Sequence, residues 1–285
     1  MSTQENTAPM ANRLYSIGEV GKLCNVSKKT LRFYDKIDVI SPDYISEENN
    51  YRYYSKDTVL FVPVIKYYKQ MGFKLEEMKT LLDTDCFDTH TERLRDKIDE
   101  LKKEREAIAI AYTSVNDWYN LIREAKGVIE NKAIQVSVKY INTINACYMK
   151  TPFDNNYRES VINIDWTNYL EEIGHEITGA VYLCFPNFEE KLNGQSTEAI
   201  IFQQGANDVD PSRTRDFGGK MMLSAYHIGT HDTINETYAR IRDWADQYGY
   251  RVGASSIERY VVDYWTLNRS EDFVTEILVE IDNWD

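Results

Sequence analysis

The segment Ile257-Glu258-Arg259-Tyr260-Val261-Val262-Asp263-Tyr264-Trp265 has the pattern of a strand. A period of two puts Glu258, Tyr260, Val262 and Tyr264 on one face. A carboxylate on an aromatic face makes a poor core, because an unpaired buried charge is expensive. The same combination suits a receptor for a flat, lipophilic cation: Glu258 supplies the counter-charge and the rings add cation–π attraction. Two other readings stay open. Glu258 could form a salt bridge to a neighbour such as Arg251, or act as general acid or base in a small-molecule enzyme, since an apolar pocket raises a carboxyl pKa. No nucleophile–base pair or phosphate loop accompanies it, which favours binding over catalysis.

A second group of residues suits nucleic acid. Ser27 has the character of a helix cap, and Lys28, Lys29 and Thr30 follow it in the first turn. At that end of a recognition helix, side chains meet base edges and backbone amides meet phosphate. Arg32 and Tyr34 lie further along, placed for phosphate. Metal chemistry is not expected. Cys24, Cys86, Cys147 and Cys184 are scattered and form no CxxC, and Gly229 lies between His227 and His231. No cofactor is implied.

Net charge locates these two functions in different parts of the chain. The 285 residues carry −13 in total, but the balance is +3 over 13–80, −3 over 81–127 and −12 over 128–285. A basic first quarter joined to an acidic second half is the asymmetry of a DNA reader carrying another module. An acidic second module also repels anionic signals at long range. No apolar run approaches the ~20 residues of a membrane span, and 1–12 lacks the order of a signal peptide. A cytoplasmic protein with no membrane partner is expected.

The elements that must position these residues can be read in turn. Ser16-Ile17-Gly18-Glu19 is a capping box opening a short helix, and Cys24-Asn25-Val26 is a turn before the Ser27-capped helix. Tyr44 to Tyr54 reads as a hairpin wing around Glu48-Asn49-Asn50. Ser55 caps a helix through Met71 that Gly72 stops and Pro63 should kink. Leu94, Ile98, Leu101, Arg105, Ile108, Tyr112, Val115, Tyr119 and Ile122 then recur at alternating steps of four and three. That is the seam of a coiled coil, which Gly127 ends and which needs a second copy to cover it. Beyond it, strands are expected at Ala133–Tyr140, Asn145–Lys150, Ile177–Phe185, Glu198–Gln203, Lys220–Ile228, Ser256–Leu267 and Phe273–Ile281. Helices are expected at Glu159–Ile173 and Thr233–Tyr248. Two rounds of strands and helix imply an internally duplicated α+β domain.

Several motifs carry a family resemblance: Tyr15-Ser16-Ile17-Gly18-Glu19-Val20, Leu31-Arg32-Phe33-Tyr34-Asp35-Lys36, Tyr51-Arg52-Tyr53-Tyr54 and Met71-Gly72-Phe73-Lys74-Leu75-Glu76-Glu77-Met78. In these the chain resembles the MerR family of transcriptional activators. The whole layout is most similar to its BmrR-type multidrug-responsive subgroup, whose C-terminal domain is GyrI-like. The resemblance implies a flexible 1–12, a winged helix-turn-helix over 13–86, a dimerisation coiled coil over 87–127 and a GyrI-like effector-binding domain over 128–285. It further implies a homodimer that bends and untwists a promoter with an over-long spacer, so that RNA polymerase engages both promoter elements when a lipophilic cation binds. A multidrug efflux or resistance gene would be the target. By the same resemblance Tyr34, Arg52 and Lys66 contact DNA, Glu258 is the buried drug-binding glutamate, and Trp166, Tyr226 and Phe273 wall the pocket beside Tyr260 and Tyr264. Tyr51, next to Arg52 in the wing, is a further DNA-binding candidate. The chain departs from the subgroup in having Phe33 and Thr178 where a tyrosine is usual.

Overall fold

The computed structural model describes residues 13–82, 84, 86–205 and 210–282. The expected flexible stretch 1–12 lies outside the described residues. The chain divides into two compact units, Met1–Arg105 and Glu106–Asp285, and the division falls inside one long helix.

The first unit contains β1 (Tyr15–Ser16), α1 (Ile17–Leu23), α2 (Lys28–Lys36), β2 (Tyr44–Ile45), β3 (Arg52–Tyr54), α3 (Lys56–Gln70) and α4 (Leu75–Leu82). The side chain of Ser16 accepts from the Glu19 amide, and the Glu19 carboxylate accepts from the Ser16 amide at 2.8 Å, so both halves of the capping box form. Ser27 and Ser55 accept from the amides of Thr30 and Thr58, opening α2 and α3 where the sequence placed them. Pro63 lies inside α3, which continues to Gln70. The wing is the β2–β3 hairpin, with β1 added beside β3. The two-residue β1 is too short to show any alternation in sequence. Val20, Leu31, Tyr34, Tyr54, Ile65 and Met78 form the core beneath these elements.

Helix α5 (Phe87–Asn131) is 45 residues long and runs through Gly127, contrary to the expected stop there. A helical glycine costs about 1 kcal/mol relative to alanine. Burial of Ala125 and Val128 against Val261, Val262 and Val274 offsets that cost. The helix ends instead at Asn131, whose side-chain Nδ2 donates to the Gly127 carbonyl at 2.8 Å.

The second unit continues with β4 (Ser137–Ile141), β5 (Ile144–Pro152), α6 (Tyr157–Val161), α7 (Ile164–Glu172), β6 (Ile177–Phe185), α8 (Phe188–Leu192) and β7 (Glu198–Gly205). It ends with β8 (Thr214–Phe217), β9 (Lys220–Ile228), α9 (Ile234–Tyr248), β10 (Arg251–Val262) and β11 (Val274–Asp282). Among the described residues, these eight strands join one antiparallel sheet in the order β4-β9-β11-β10-β6-β7-β5-β8. The central order is mirrored about the β6–β10 seam, so β5-α7-β6-β7 and β9-α9-β10-β11 are two copies of one plan. Topology displays the duplication that the sequence shows only faintly. Three details differ from expectation. The single helix expected at Glu159–Ile173 is broken in two, because Asn163 accepts from the Trp166 amide at 2.8 Å and caps α7 afresh. Strand β10 stops at Val262, since the Asp263 carbonyl takes the amides of Thr266 and Leu267 in a turn. Elements α8 and β8 were not anticipated.

Candidate functional site

In the first unit, Lys28, Lys29 and Arg32 stand exposed on α2, whose first turn is fixed by Ser27. The Ser27 and Thr30 hydroxyls are also bonded to each other at 2.7 Å. Tyr34 is 4% exposed and its ring packs in the core, where burial raises its phenol pKa. Of the wing tyrosines, Tyr51 is exposed, whereas Tyr54 is fully buried and fastens the wing to the domain. Arg52 donates from Nε to Asp35 Oδ2 at 2.7 Å, tying wing to α2. Lys66 is exposed and donates to the Cys24 carbonyl at 3.1 Å, at the C-terminal end of α1 where a cation is favoured.

In the second unit, Glu258 is wholly buried and fully partnered. Tyr238 and Tyr260 donate their hydroxyls to its two oxygens at 2.9 and 2.6 Å. The third partner is a cation that belongs to the chain, Lys191, whose Nζ lies 3.1 Å from Oε1. Helix α8 delivers Lys191, which also donates to the Tyr157 hydroxyl. Burial pushes the phenols of Tyr157, Tyr238 and Tyr260 well above the usual range, and the Glu258 charge adds to it. The expected unpaired carboxylate is therefore a paired one, and its partner is not Arg251, which is exposed.

An opening lies where the β6–β10 ladder ends, and Tyr260, whose hydroxyl bonds Glu258, is one of its walls. The last pair of the ladder is Tyr260↔Val181, and both strands shift register there, between Thr178 and Tyr182 on β6 and between Tyr260 and Val262 on β10. The gap is a mostly apolar cleft of about 120 Å³ under the C-terminal half of α5, walled by Trp118, Leu121, Val181 and Trp265. Asp263 lines it at 4% exposure, its carboxylate accepting from the Trp265 amide at 2.8 Å. Burial pushes the Asp263 carboxyl up to about 6. Around this cleft α5 is bound to the sheet by polar contacts. Thr178 donates to Asp117, Tyr226 donates to Glu124 at 2.8 Å, and Glu124 also pairs with Arg259. Arg259 in turn pairs with Glu276 at 2.8 Å.

The structure thus divides the expected ligand residues. Glu258 and Tyr260 are in direct contact. Phe273 and Tyr264 reach the cluster through His231, whose ring lies 5.4 Å from Tyr260 and 5.6 Å from Phe273. Trp166 is buried behind the cleft, donating at 2.8 Å to Gln203, which lines it, and Tyr226 packs towards α5. Sequence reasoning missed Lys191, Tyr157, Tyr238, Trp118 and Asp263. For Lys191 a signal existed: Asn187 followed three residues later by Glu190 marks a helix start, and Asn187 does accept from the Glu190 amide. Among the described residues no cluster could hold a metal ion, and no helix is long and apolar enough to cross a membrane.

Comparison with known proteins places both units. Residues 15–85 match the MerR HTH family of regulatory proteins, and 135–282 match the GyrI-like small molecule binding domain. The Multidrug-efflux transporter 1 regulator of Bacillus subtilis (strain 168) is 35% identical over 156 residues, half of this chain and 55% of that protein. The Multidrug-efflux transporter 2 regulator of the same organism is 26% identical over 274 residues, covering 94% of this chain and 97% of that one. The Mercuric resistance operon regulatory protein of Bacillus cereus is 33% identical over 101 residues, 76% of its own length. Among solved structures, the cryo-EM EcmrR–DNA complex is similar at 21% identity and a TM-score of 0.44, over 95% of this chain and 100% of that one. The chain belongs to the MerR family of transcription regulators and carries a GyrI-like small-molecule-binding domain as its second half.

Proposed function

We propose that the protein is a dimeric, ligand-responsive transcription activator. One observation carries the reading: a single unbroken α5 whose seam residues Leu94, Ile98, Leu101, Ile108, Tyr112, Val115, Tyr119 and Ile122 are all exposed. A row of apolar side chains of that length needs a partner helix, and a second copy supplies an identical one. Dimerisation would set two copies of the Lys28-Lys29-Arg32 surface on two half-sites of an inverted repeat. Ser27, Thr30, Tyr51, Arg52 and Lys66 complete that DNA surface. RNA polymerase and a promoter with an over-long spacer are the remaining partners. Deforming such a spacer costs on the order of 1–10 kcal/mol, offset by contacts that the distorted duplex permits.

The inducer in this reading is a lipophilic cation. Its counter-charge is Asp263 in the cleft under α5, because the Glu258 charge is already matched. The names of the two multidrug-efflux regulators support an efflux or resistance gene as the target. A ligand there touches the same helix that carries the seam, and shifts the dimer only as far as it binds one arrangement better. In vitro transcription from the promoter beside the protein's own gene tests the reading. Activation should require an inverted repeat within a long spacer and should vanish when the spacer is shortened by two base pairs. Activation that ignores spacer length would sink the distortion mechanism.

A further inference from the structure

The second unit contains a buried ammonium–carboxylate pair enclosed by aromatic rings. Glu258 is its anion, and four rings surround the charge it holds. Lys191 Nζ lies 4.7 Å from the ring centroid of Phe185, 5.0 Å from those of Tyr157 and Tyr238, and 5.3 Å from that of Phe153. Lys191 and Glu258 are 1% and 0% exposed, so neither charge is shared with water. Carboxylate, phenol hydroxyls and ring faces are the parts from which sites for organic ammonium ions are built. Here the occupant is covalently part of the chain. Its helix is held in place by the Asn187 cap and by the Glu189–Arg242 ion pair to α9.

We propose that Lys191 is a built-in ligand: its ammonium occupies the Glu258–aromatic receptor and closes it to external cations. The inference rests on the reading of this half as an effector domain only for its consequence, that cations are selected elsewhere. A tethered group competes as if present at very high local concentration, so a free amine cannot displace it at ordinary concentrations. Removing the side chain beyond Cβ leaves a space shaped for one class of molecule, a short primary alkylammonium. Lys191→Ala removes three methylenes and an ammonium, which together are the heavy atoms of n-propylammonium.

The test uses the full chain and chemical rescue. Lys191→Ala should melt well below wild type, and n-propylammonium should restore its melting temperature. The amine should bind the variant about tenfold or more tighter than n-propanol does, the preference expected for a desolvated cation–π and carboxylate site. Wild type should bind neither probe. In Lys191→Ala/Glu258→Gln the preference for amine over alcohol should vanish. Where Lys191→Ala is unfolded alone, folding on adding the amine supports the proposal, and failure to fold at saturating amine overturns it. Equal rescue by amine and alcohol also overturns it, since the space would then be only a cavity. So does n-propylammonium binding to wild type as tightly as to Lys191→Ala, because the receptor would be open. Spacer-dependent transcription by wild type is a separate readout: its loss would remove the regulator reading and leave the rescue result standing.

Discussion

Nζ of Lys191 lies 3.1 Å from Oε1 of Glu258, and both groups are sealed inside the helix-covered face of the sheet. The two come from elements far apart in sequence, α8 and β10. Breaking such a pair by removing one member strands the other charge without solvent, whereas removing both removes the problem.

Lys191→Met should therefore destabilise the second unit by about 3–5 kcal/mol. Lys191→Met/Glu258→Gln should recover much of that loss. Urea unfolding at neutral pH measures both. A double variant as unstable as the single one would show that packing of the lysine stem, not charge, is what Lys191 contributes.

Asp263 should make stability depend on pH with an unusual sign. Its carboxyl titrates at about 6 in the folded chain, against 3.8 as an ordinary value. Above pH 6 the fold holds an ionised group in an apolar cleft and is weakened. The penalty is relieved as pH falls from 6 towards 4, by up to about 3 kcal/mol. Asp263→Asn should thus stabilise the chain at pH 8 and change little at pH 4. A gain that is the same at both pH values would mean that ionisation is not the cause.

Leu101→Asp should place a charge in the α5 seam and yield monomers with little operator affinity. Sedimentation at micromolar concentration decides this. An intact dimer in that variant would remove the seam from the assembly.

Arg52→Ala should weaken binding to all DNA sequences about equally and reduce the slope of log affinity against log salt by about 1, as loss of a single phosphate contact does. The Arg52–Asp35 pair is partly exposed, so the fold should lose at most about 1 kcal/mol. Asp35→Asn tests whether the pair positions the wing. Affinity should fall a few-fold although a negative charge has gone, and a rise instead would show Asp35 to be only a competitor of phosphate.

Local patterns were legible from the chain alone. The caps at Ser16, Ser27 and Ser55 are decided by a hydroxyl reaching an amide three residues on, an interaction contained within four residues of sequence. The α5 stripe and most strands were readable for the same reason, since their periods are properties of one element. What the chain could not show is the partner of each buried charge. That Glu258 pairs with Lys191 depends on a five-residue helix, too short to display a period, docking over a strand more than sixty residues away. The end of α5 was misplaced because Gly127 argues locally for a stop while Val128, packed on β10 and β11, argues for continuing. The position of Tyr34 along the recognition helix is legible in the sequence, but the packing of its ring is fixed by the core. Propensity and capping act over a few residues and can be read in line, whereas the location of a desolvated charge and of its opposite is settled only when the sheet closes.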